Sequence, residues 1–419
     1  MDTLWKIALR NVQRHKKRTI ITGIVMMVGI GLYIGYDSIL AGMDRISIDT
    51  MIQYSASSLK VRTPEYVADA MGIPLDHGIP DPEAAMAAMR RAAPELVATA
   101  PRTLFLVQAS NYSDSEPAMA AAVDPVRDAE VFAVAGNVHD GAWLSAEGDH
   151  ETVIPMSMAR DLGLKLGDYI LLSARTVYDN DNADEFRIVG LIDDTASLAA
   201  TASIYLSYPT ARAFLGESLP VTEIDAAARR NPSLDGELAS SIRSAALVKA
   251  ALPALEAQSV GEFAKDYLAL RSSKSKGSIL LVAMILLIAA VGIVNTILMS
   301  VYARVREIGV LRAYGMTPKD VKKLFVREGL ITGAVGSFAG LLLGGGIVWF
   351  FMDTGLSVSK IFGNVDLGAI PVNAVMRGEL RPQAFVIGFV FGLFVSWFAA
   401  RIPAKRAARM EPTDALRFV

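Results

Sequence analysis

The sequence predicts an α-helical membrane domain of four transmembrane helices, joined to a large extracytoplasmic α/β domain with an inserted small β-rich subdomain. Three observations predict it. The 419 residues are 52% hydrophobic and only 20% charged, too apolar for a soluble chain that must cover its core with polar surface. The apolar residues concentrate in four charge-free runs, 19–36, 277–303, 329–352 and 382–400. At about 1.5 Å per residue even the shortest spans about 27 Å, close to a hydrocarbon core of roughly 30 Å. Finally, charge is distributed unevenly around the runs, although the net is only -2. Residues 1–18, 304–328 and 401–419 hold 18 basic against 6 acidic residues, whereas 37–276 hold 20 against 34.

Lysine and arginine mark the cytoplasmic side of a membrane protein. They place an amphipathic start (1–18), the 304–328 loop and the 401–419 tail in the cytoplasm, with transmembrane helices at 19–40, 277–303, 329–352 and 382–400. The 41–276 segment and a short 353–381 loop then lie outside. A cleaved signal peptide fits the first run poorly, because its apolar part exceeds the usual h-region and no small-x-small site follows.

The outer segment reads as a folded domain. Asp81-Pro82-Glu83 supplies an N-cap, a first-position proline and a first-turn acid for a helix through about Ala93. Strands are expected at Thr103–Ala109, Ala118–Val123, Thr152–Pro155, Tyr169–Ala174, Phe186–Ile192 and Ser203–Leu206. A short helix is expected at Ser157–Leu162 and a longer one over about Leu234–Ala257. The pattern divides into an α/β subdomain from 41–135 and 221–270 and a β-rich insert at 136–220.

Most catalytic chemistry is excluded. There is no cysteine for a disulfide, a zinc site or a thiol nucleophile. His15, His77, His139 and His150 show no metal-binding spacing, so no metal is expected. The run Asp179–Glu185 departs from a calcium loop at the glycine and glutamate positions and reads as a solvated hairpin tip. No G-x-x-x-x-G-K-[ST] run is present, so the chain is not expected to be an enzyme or to bind a cofactor; ATP and Mg would belong to a partner ATPase.

The spans carry small-residue spacings that let helix backbones approach in lipid: Gly31 and Gly35; Gly336, Gly340 and Gly344; Gly388 and Gly392. Asn295, Thr296 and Ser300 give the second run a polar stripe, for interhelical hydrogen bonds or, at Asn295, for a subunit interface or substrate cavity. Met26, Met27, Ile30, Met284, Ile288 and Met299 could line such a cavity with pliable side chains, or face lipid and neighbouring helices.

The 304–328 loop reads as a short amphipathic helix ended by Gly315, followed by a second helix capped by Thr317-Pro318. Ile308, Leu311, Ala313 and Tyr314 form an apolar knob ringed by Arg306, Glu307 and Arg312. Such a knob with charged rims suits a groove on a partner better than a headgroup layer, which needs charge alone.

The stretch REIGVLRAYGMTPKDVKKLFVREGLITGAVGSFAGLLLG (Arg306–Gly344) resembles the signature of the FtsX-like permease family, the membrane subunits of type VII ABC transporters. The terminal IPAKRAARMEPTDALRF (Ile402–Phe418), the opening Leu4–Ile30 and the β unit from Gly141 are similar to the corresponding family regions. The resemblance implies a mechanotransmission permease of the bacterial inner membrane, with both termini cytoplasmic and the large domain in the periplasm. It would pair with a second permease, identical or homologous, above two ABC ATP-binding subunits. Arg306, Glu307, Gly309, Leu311, Arg312, Ala313, Tyr314 and Gly315 would form the coupling helix. Tyr314 and Met316 stand where relatives often carry smaller or aliphatic residues. Within the family the build is closest to lipoprotein-releasing permeases, which implies extraction of a lipoprotein or other amphiphile, passed on where present to a periplasmic acceptor. The alternatives are a MacB-type export permease for peptides or small amphiphiles, and a cargo-free regulator of a cell-wall hydrolase.

Overall fold

The computed structural model describes residues 3–14, 16–69, 72–194, 196, 200–357 and 375–409. The helices used below are, in chain order, α1 (Thr3–Arg14), α2 (Lys16–Met51), α3 (Pro64–Ala68), α4 (Pro82–Ala92), α5 (Pro125–Val131), α6 (Met156–Asp161), α7 (Tyr208–Leu215), α8 (Leu234–Ala251), α9 (Val260–Phe263), α10 (Lys265–Ala303), α11 (Val305–Ala313), α12 (Pro318–Thr354) and α13 (Pro382–Ala408). Among the described residues the chain forms two compact units. A helical unit takes the chain up to Asp44, from Arg271 onward and again from Val375; a sheet unit takes Arg45–Leu270.

Three described helices are long and apolar enough to cross a membrane, within Thr19–Ala56, Pro318–Thr354 and Pro382–Ala408. The second expected span, 277–303, lies on α10, whose described apolar stretch is the shorter Ala290–Ala303. Every span-bearing helix outruns its charge-free run. Helix α2 continues to Met51, α10 starts at Lys265, and α13 continues past Arg401 and through Pro403 to Ala408. The absence of charge marks where side chains meet lipid; caps and breakers decide where a helix stops. The centre of the expected outer loop, 358–374, and the end of the tail, 410–419, lie outside the described residues.

The sheet unit is built on strands β1 (Leu59–Arg62), β2 (Leu96–Ser110), β3 (Ser115–Val123), β4 (Val138–Gly141), β5 (Glu151–Pro155), β6 (Tyr169–Arg175), β7 (Asp181–Ile192), β8 (Ile204–Ser207), β9 (Glu223–Ala228) and β10 (Glu256–Ser259). They form one sheet in the order β10-β1-β9-β2-β3-β8-β5-β7-β4, with β6 bridging β2 and β7. Strands from the expected α/β subdomain occupy one half and those from the expected insert the other. The halves join through the parallel β3–β8 pair and share one core, in which Phe105 and Ala120 meet Ile154, Leu172 and Phe186. Strands from both segments therefore share one sheet and one core.

Local chemistry explains the helix starts. Asp81, Asp124, Ser207 and Ser233 each accept a backbone N–H in the first turn; Asp81 and Asp124 are followed directly by proline, and Pro209 stands second after Ser207. Two expectations shift. The helix expected to reach Ala257 stops at Ala251, because Glu256–Ser259 is taken up as an edge strand beside β1. The acidic run is mostly strand: the turn is Thr176–Asn180, and Asp181 to Glu185 pair in register with β6 from Arg175 to Leu171. Pairing across β6 overrides the local turn preference of Asp and Asn.

The face of β1, β9 and β2 away from α4 and α8 carries buried charge. The Arg102 guanidinium donates to both Asp128 oxygens at 2.6 and 2.9 Å and lies 3.4 Å from the centre of the Phe132 ring. Lys60 donates to Glu223 at 2.8 Å and lies 3.4 Å from Asp225, which also accepts from Ser57. Burial pushes the Asp225 carboxyl up to about 7 in spite of Lys60. For Glu223 burial acts the same way, but the Lys60 charge and hydrogen bond outweigh it and hold its pKa below the usual range. Removing one member of a buried pair strands the other, which costs about 3–5 kcal/mol, whereas apolar replacement of both is far better tolerated. Asp128→Ala should therefore sharply lower the urea midpoint of the sheet unit, read by pulse proteolysis of the detergent-solubilised chain. Arg102→Met combined with Asp128→Leu should recover most of the loss.

Candidate coupling site and span packing

Helix α11 is oriented by its own buried face. Val305 and Ile308 are almost fully buried, and Ile308 joins a cluster with Val301, Val321, Phe325, Ala404 and Ala407. These positions come from the end of α10, the first turns of α12 and the last turns of α13. A buried ion pair fixes the entry. Arg304 is 8% exposed; its Nη1 donates to Glu328 at 3.3 Å and its Nε to Glu307 at 3.1 Å. Ser300 donates to the other Glu328 oxygen at 3.3 Å. The exit is fixed by Gly315, whose φ of +95° favours glycine, and by Thr317, which accepts from the Asp320 N–H ahead of Pro318.

This placement corrects the expected knob. Ile308 points into the protein, buried with Val305 on α11 and clustered with Val301 at the end of α10. The outward apolar surface is instead Val310, 40% exposed, and Tyr314, 88% exposed, with exposed Ala313. Arg306 is exposed beside them, the Glu307 carboxylate lies 3.7 Å from Arg14, Gly309 is buried and Arg312 is half-buried. Leu311 lies on α11, and its side chain falls outside the described residues. Sequence reasoning missed Val310 and the Ser300–Arg304–Glu328 group. The four-residue spacing of Ser300 and Arg304 before a charged residue at a span boundary was the available signal.

The expected glycines act as contact points. A Cβ on Gly336, Gly340 or Gly344 would stand 2.8 Å from the Cβ of Met26, Ile30 or Ile34 on α2. From the other side, Gly31 and Gly35 face Leu343 and Ile347 at 2.8 and 2.7 Å. A Cβ added at Gly388 or Gly392 on α13 would stand 3.3 or 2.8 Å from Ile30. The stripe extends further than expected, because a Cβ added at Gly329 would stand 2.6 Å from Ala400 and one at Gly333 would collide with Ser396.

The expected cavity residues separate into two groups. Met26 and Ile30 are buried in this seam and Met27 is half-buried, so Met26 and Ile30 pack helices within the chain and line no open cavity. The glycines opposite them leave no space. By contrast Met284, Ile288 and Met299 are at least half exposed on α10, and Asn295 is exposed among them. Among the described residues of the polar stripe, Ser300 makes a hydrogen bond within the chain, to Glu328.

Residues 279–412 match the family described as FtsX-like permease C-terminal. Over 98% of both chains the protein is 23% identical to the lipoprotein-releasing system transmembrane protein LolC of Xylella fastidiosa. It is 32% identical over 141 residues, a third of each chain, to LolC of Haemophilus influenzae. It is 34% identical over 134 residues to the macrolide export ATP-binding/permease protein MacB of Hyphomonas neptunium, covering 32% of this chain and 18% of that one. The periplasmic region of MacB from Actinobacillus actinomycetemcomitans overlays 51% of this chain and 94% of its own, at a TM-score of 0.36 and 11% identity. Residues 279–412 thus carry an FtsX-like permease C-terminal domain, and the chain is similar to relatives named LolC and MacB, of which it spans a third of the Haemophilus LolC and 18% of the Hyphomonas MacB.

The seam makes a direct prediction. Gly340→Ala places a methyl against Ile30 and should destabilise the helical unit by about 1–3 kcal/mol, the usual cost of overpacking. Gly346→Ala meets nothing within 4 Å and should be neutral. Thermal unfolding in nanodiscs compares the two.

Proposed function

We propose that this chain is the permease subunit of a transporter that couples ATP hydrolysis on a separate subunit to release of lipoproteins from the outer leaflet of the inner membrane. The observation that carries the reading is coverage: the LolC relative aligns over 98% of both chains at 23% identity, which supports a shared domain plan. The proposed arrangement has four spans, both termini cytoplasmic and the sheet unit in the periplasm. Helix α11 seats in the ATP-binding subunit through Val310 and Tyr314, with Arg306, Glu307 and Arg312 at the rim. The exposed Asn295 on an otherwise apolar α10 face supports pairing with a second permease, since a polar side chain at membrane depth usually faces protein. Export of small amphiphiles is the second reading, supported by the 34% identity to MacB over 134 residues.

Interface energy concentrates in a few anchors worth about 2 kcal/mol or more each. Tyr314→Asp or Val310→Asp should therefore weaken capture of the cognate ATP-binding subunit roughly thirtyfold and abolish ATP-dependent release of lipoprotein from spheroplasts. Normal capture by both variants would remove the coupling assignment. Intact capture with no lipoprotein release by the wild type, but ATP-dependent efflux of a small amphiphile, would favour the second reading.

A further inference from the structure

The buried charge on β1, β9 and β2 leaves Asp225 poorly served. Arg102 is committed to Asp128 through two hydrogen bonds, and Lys60 gives its 2.8 Å bond to Glu223. Lys60 reaches Asp225 only at 3.4 Å, beyond the usual length of a charge-assisted bond. In the ladder Glu223 stands between Arg62 and Arg102, whereas Asp225 stands between Lys60 and Ala100. Asp225 is 0% exposed, and its Oδ2 makes no hydrogen bond. An ionised carboxylate so placed holds part of its charge out of water and unpaired, a cost that a neutral acid avoids. Ser57 is the second observation. Its hydroxyl has one hydrogen and two neighbours, the Leu59 carbonyl oxygen at 2.8 Å and Asp225 Oδ1 at 3.0 Å. With Asp225 ionised, both contacts call on that one hydrogen. The carbonyl can only accept, so each contact has its own hydrogen only when Asp225 brings the second.

We propose that Asp225 is a protonated latch: its carboxylic acid donates to Ser57, fixes the turn between α2 and β1, and loses that hold when the proton leaves. The position gives the latch its leverage. Ser57 joins the π-helical turn Ile52–Ala56, which follows α2, to β1. Its φ of +52° is a conformation that a residue with a side chain keeps only where its surroundings impose it. The next residue, Ser58, is already tied to β9 through Ala226 and Ala228, so the turn itself is the part left to the proton. The charged and titratable groups around Asp225 are Lys60 and Arg62 on β1, Glu223 on β9, Arg102 on β2 and Tyr66 on α3, with Asp128 on α5 behind Arg102. Glu223 is held ionised, and burial pushes the Tyr66 hydroxyl up to about 12, so neither follows pH over the range of Asp225. Burial raises Asp225 to about 7, from roughly 4 in an unfolded chain, so the folded chain binds the extra proton. The stability this group supplies is full below about pH 4 and is lost as pH rises to about 7.

The test compares the full detergent-solubilised chain with Asp225→Asn, whose neutral amide can donate to Ser57 and accept from Lys60 at any pH. Urea midpoints of the sheet unit are read by pulse proteolysis at about pH 5 and pH 8, on either side of the transition. The two proteins should match at the lower pH, and the variant should have the higher midpoint at the upper one. Hydrogen exchange of the 52–62 segment then locates the effect. At the upper pH those amides should exchange several-fold faster in the wild type than in Asp225→Asn, and equally at the lower pH. An infrared spectrum of the wild type at the lower pH should contain a carboxylic-acid C=O band that the variant lacks. A variant that is less stable at both pH values, or that does not fold, would mean that an ionised partner of Lys60 had been removed and would overturn the proposal. Equal exchange of the segment at both pH values, or identical infrared spectra, would overturn it as well.

Discussion

The structure of the helical unit depends on how closely three backbones approach where no water can drive apolar side chains together. In lipid, helices associate through van der Waals contact and occasional hydrogen bonds, and both require short distances. The glycines of α12 supply that distance on two sides. Gly336, Gly340 and Gly344 admit α2, and Gly329 and Gly333 admit α13. Met26 and Ile30 fill the seam from α2, so a methyl added at the glycines has nowhere to go. The seam makes one packed body of the segments that flank α11.

That body sets the direction of α11. Its inner face continues the cluster that begins with Ile293 and Ile297 on α10 and ends with Ala404 and Ala407 on α13. With Ile308 locked inside, the 3.6-residue period leaves Val310 and Tyr314 outside. The Arg304–Glu328 pair adds registry, since a buried pair ties the start of α11 to the helix that also carries the glycine stripe. Movement of the loop would therefore be felt by α10 and α12 together.

Much of this was legible in the sequence, and the physical reasons are specific. Gly315 and Thr317-Pro318 announce a helix end and a helix start, because each is a conformational requirement of its own backbone position. The glycine spacings announce close contacts for the same reason. The inner and outer faces of α11 were not legible, because both are apolar: Ile308 and Val310 differ only in what the rest of the chain places beside them. The same ambiguity left Met26 and Ile30 open between a cavity wall and helix packing, and they lie in the seam. In the sheet unit, Asp181 to Glu185 looked like a turn because local preference is visible in sequence and a partner strand is not. Arg102 and Asp128, 26 residues apart, carried no local sign of their pairing.

The central claim is that packing turns one face of α11 inward and offers the other to a partner. A photoreactive amino acid placed at Tyr314, and separately at Ile308, measures it most directly in membranes containing the cognate ATP-binding subunit. The account predicts an intermolecular crosslink to that subunit from position 314 and only intramolecular products from position 308. Capture of the subunit from position 308, with none from position 314, would contradict it.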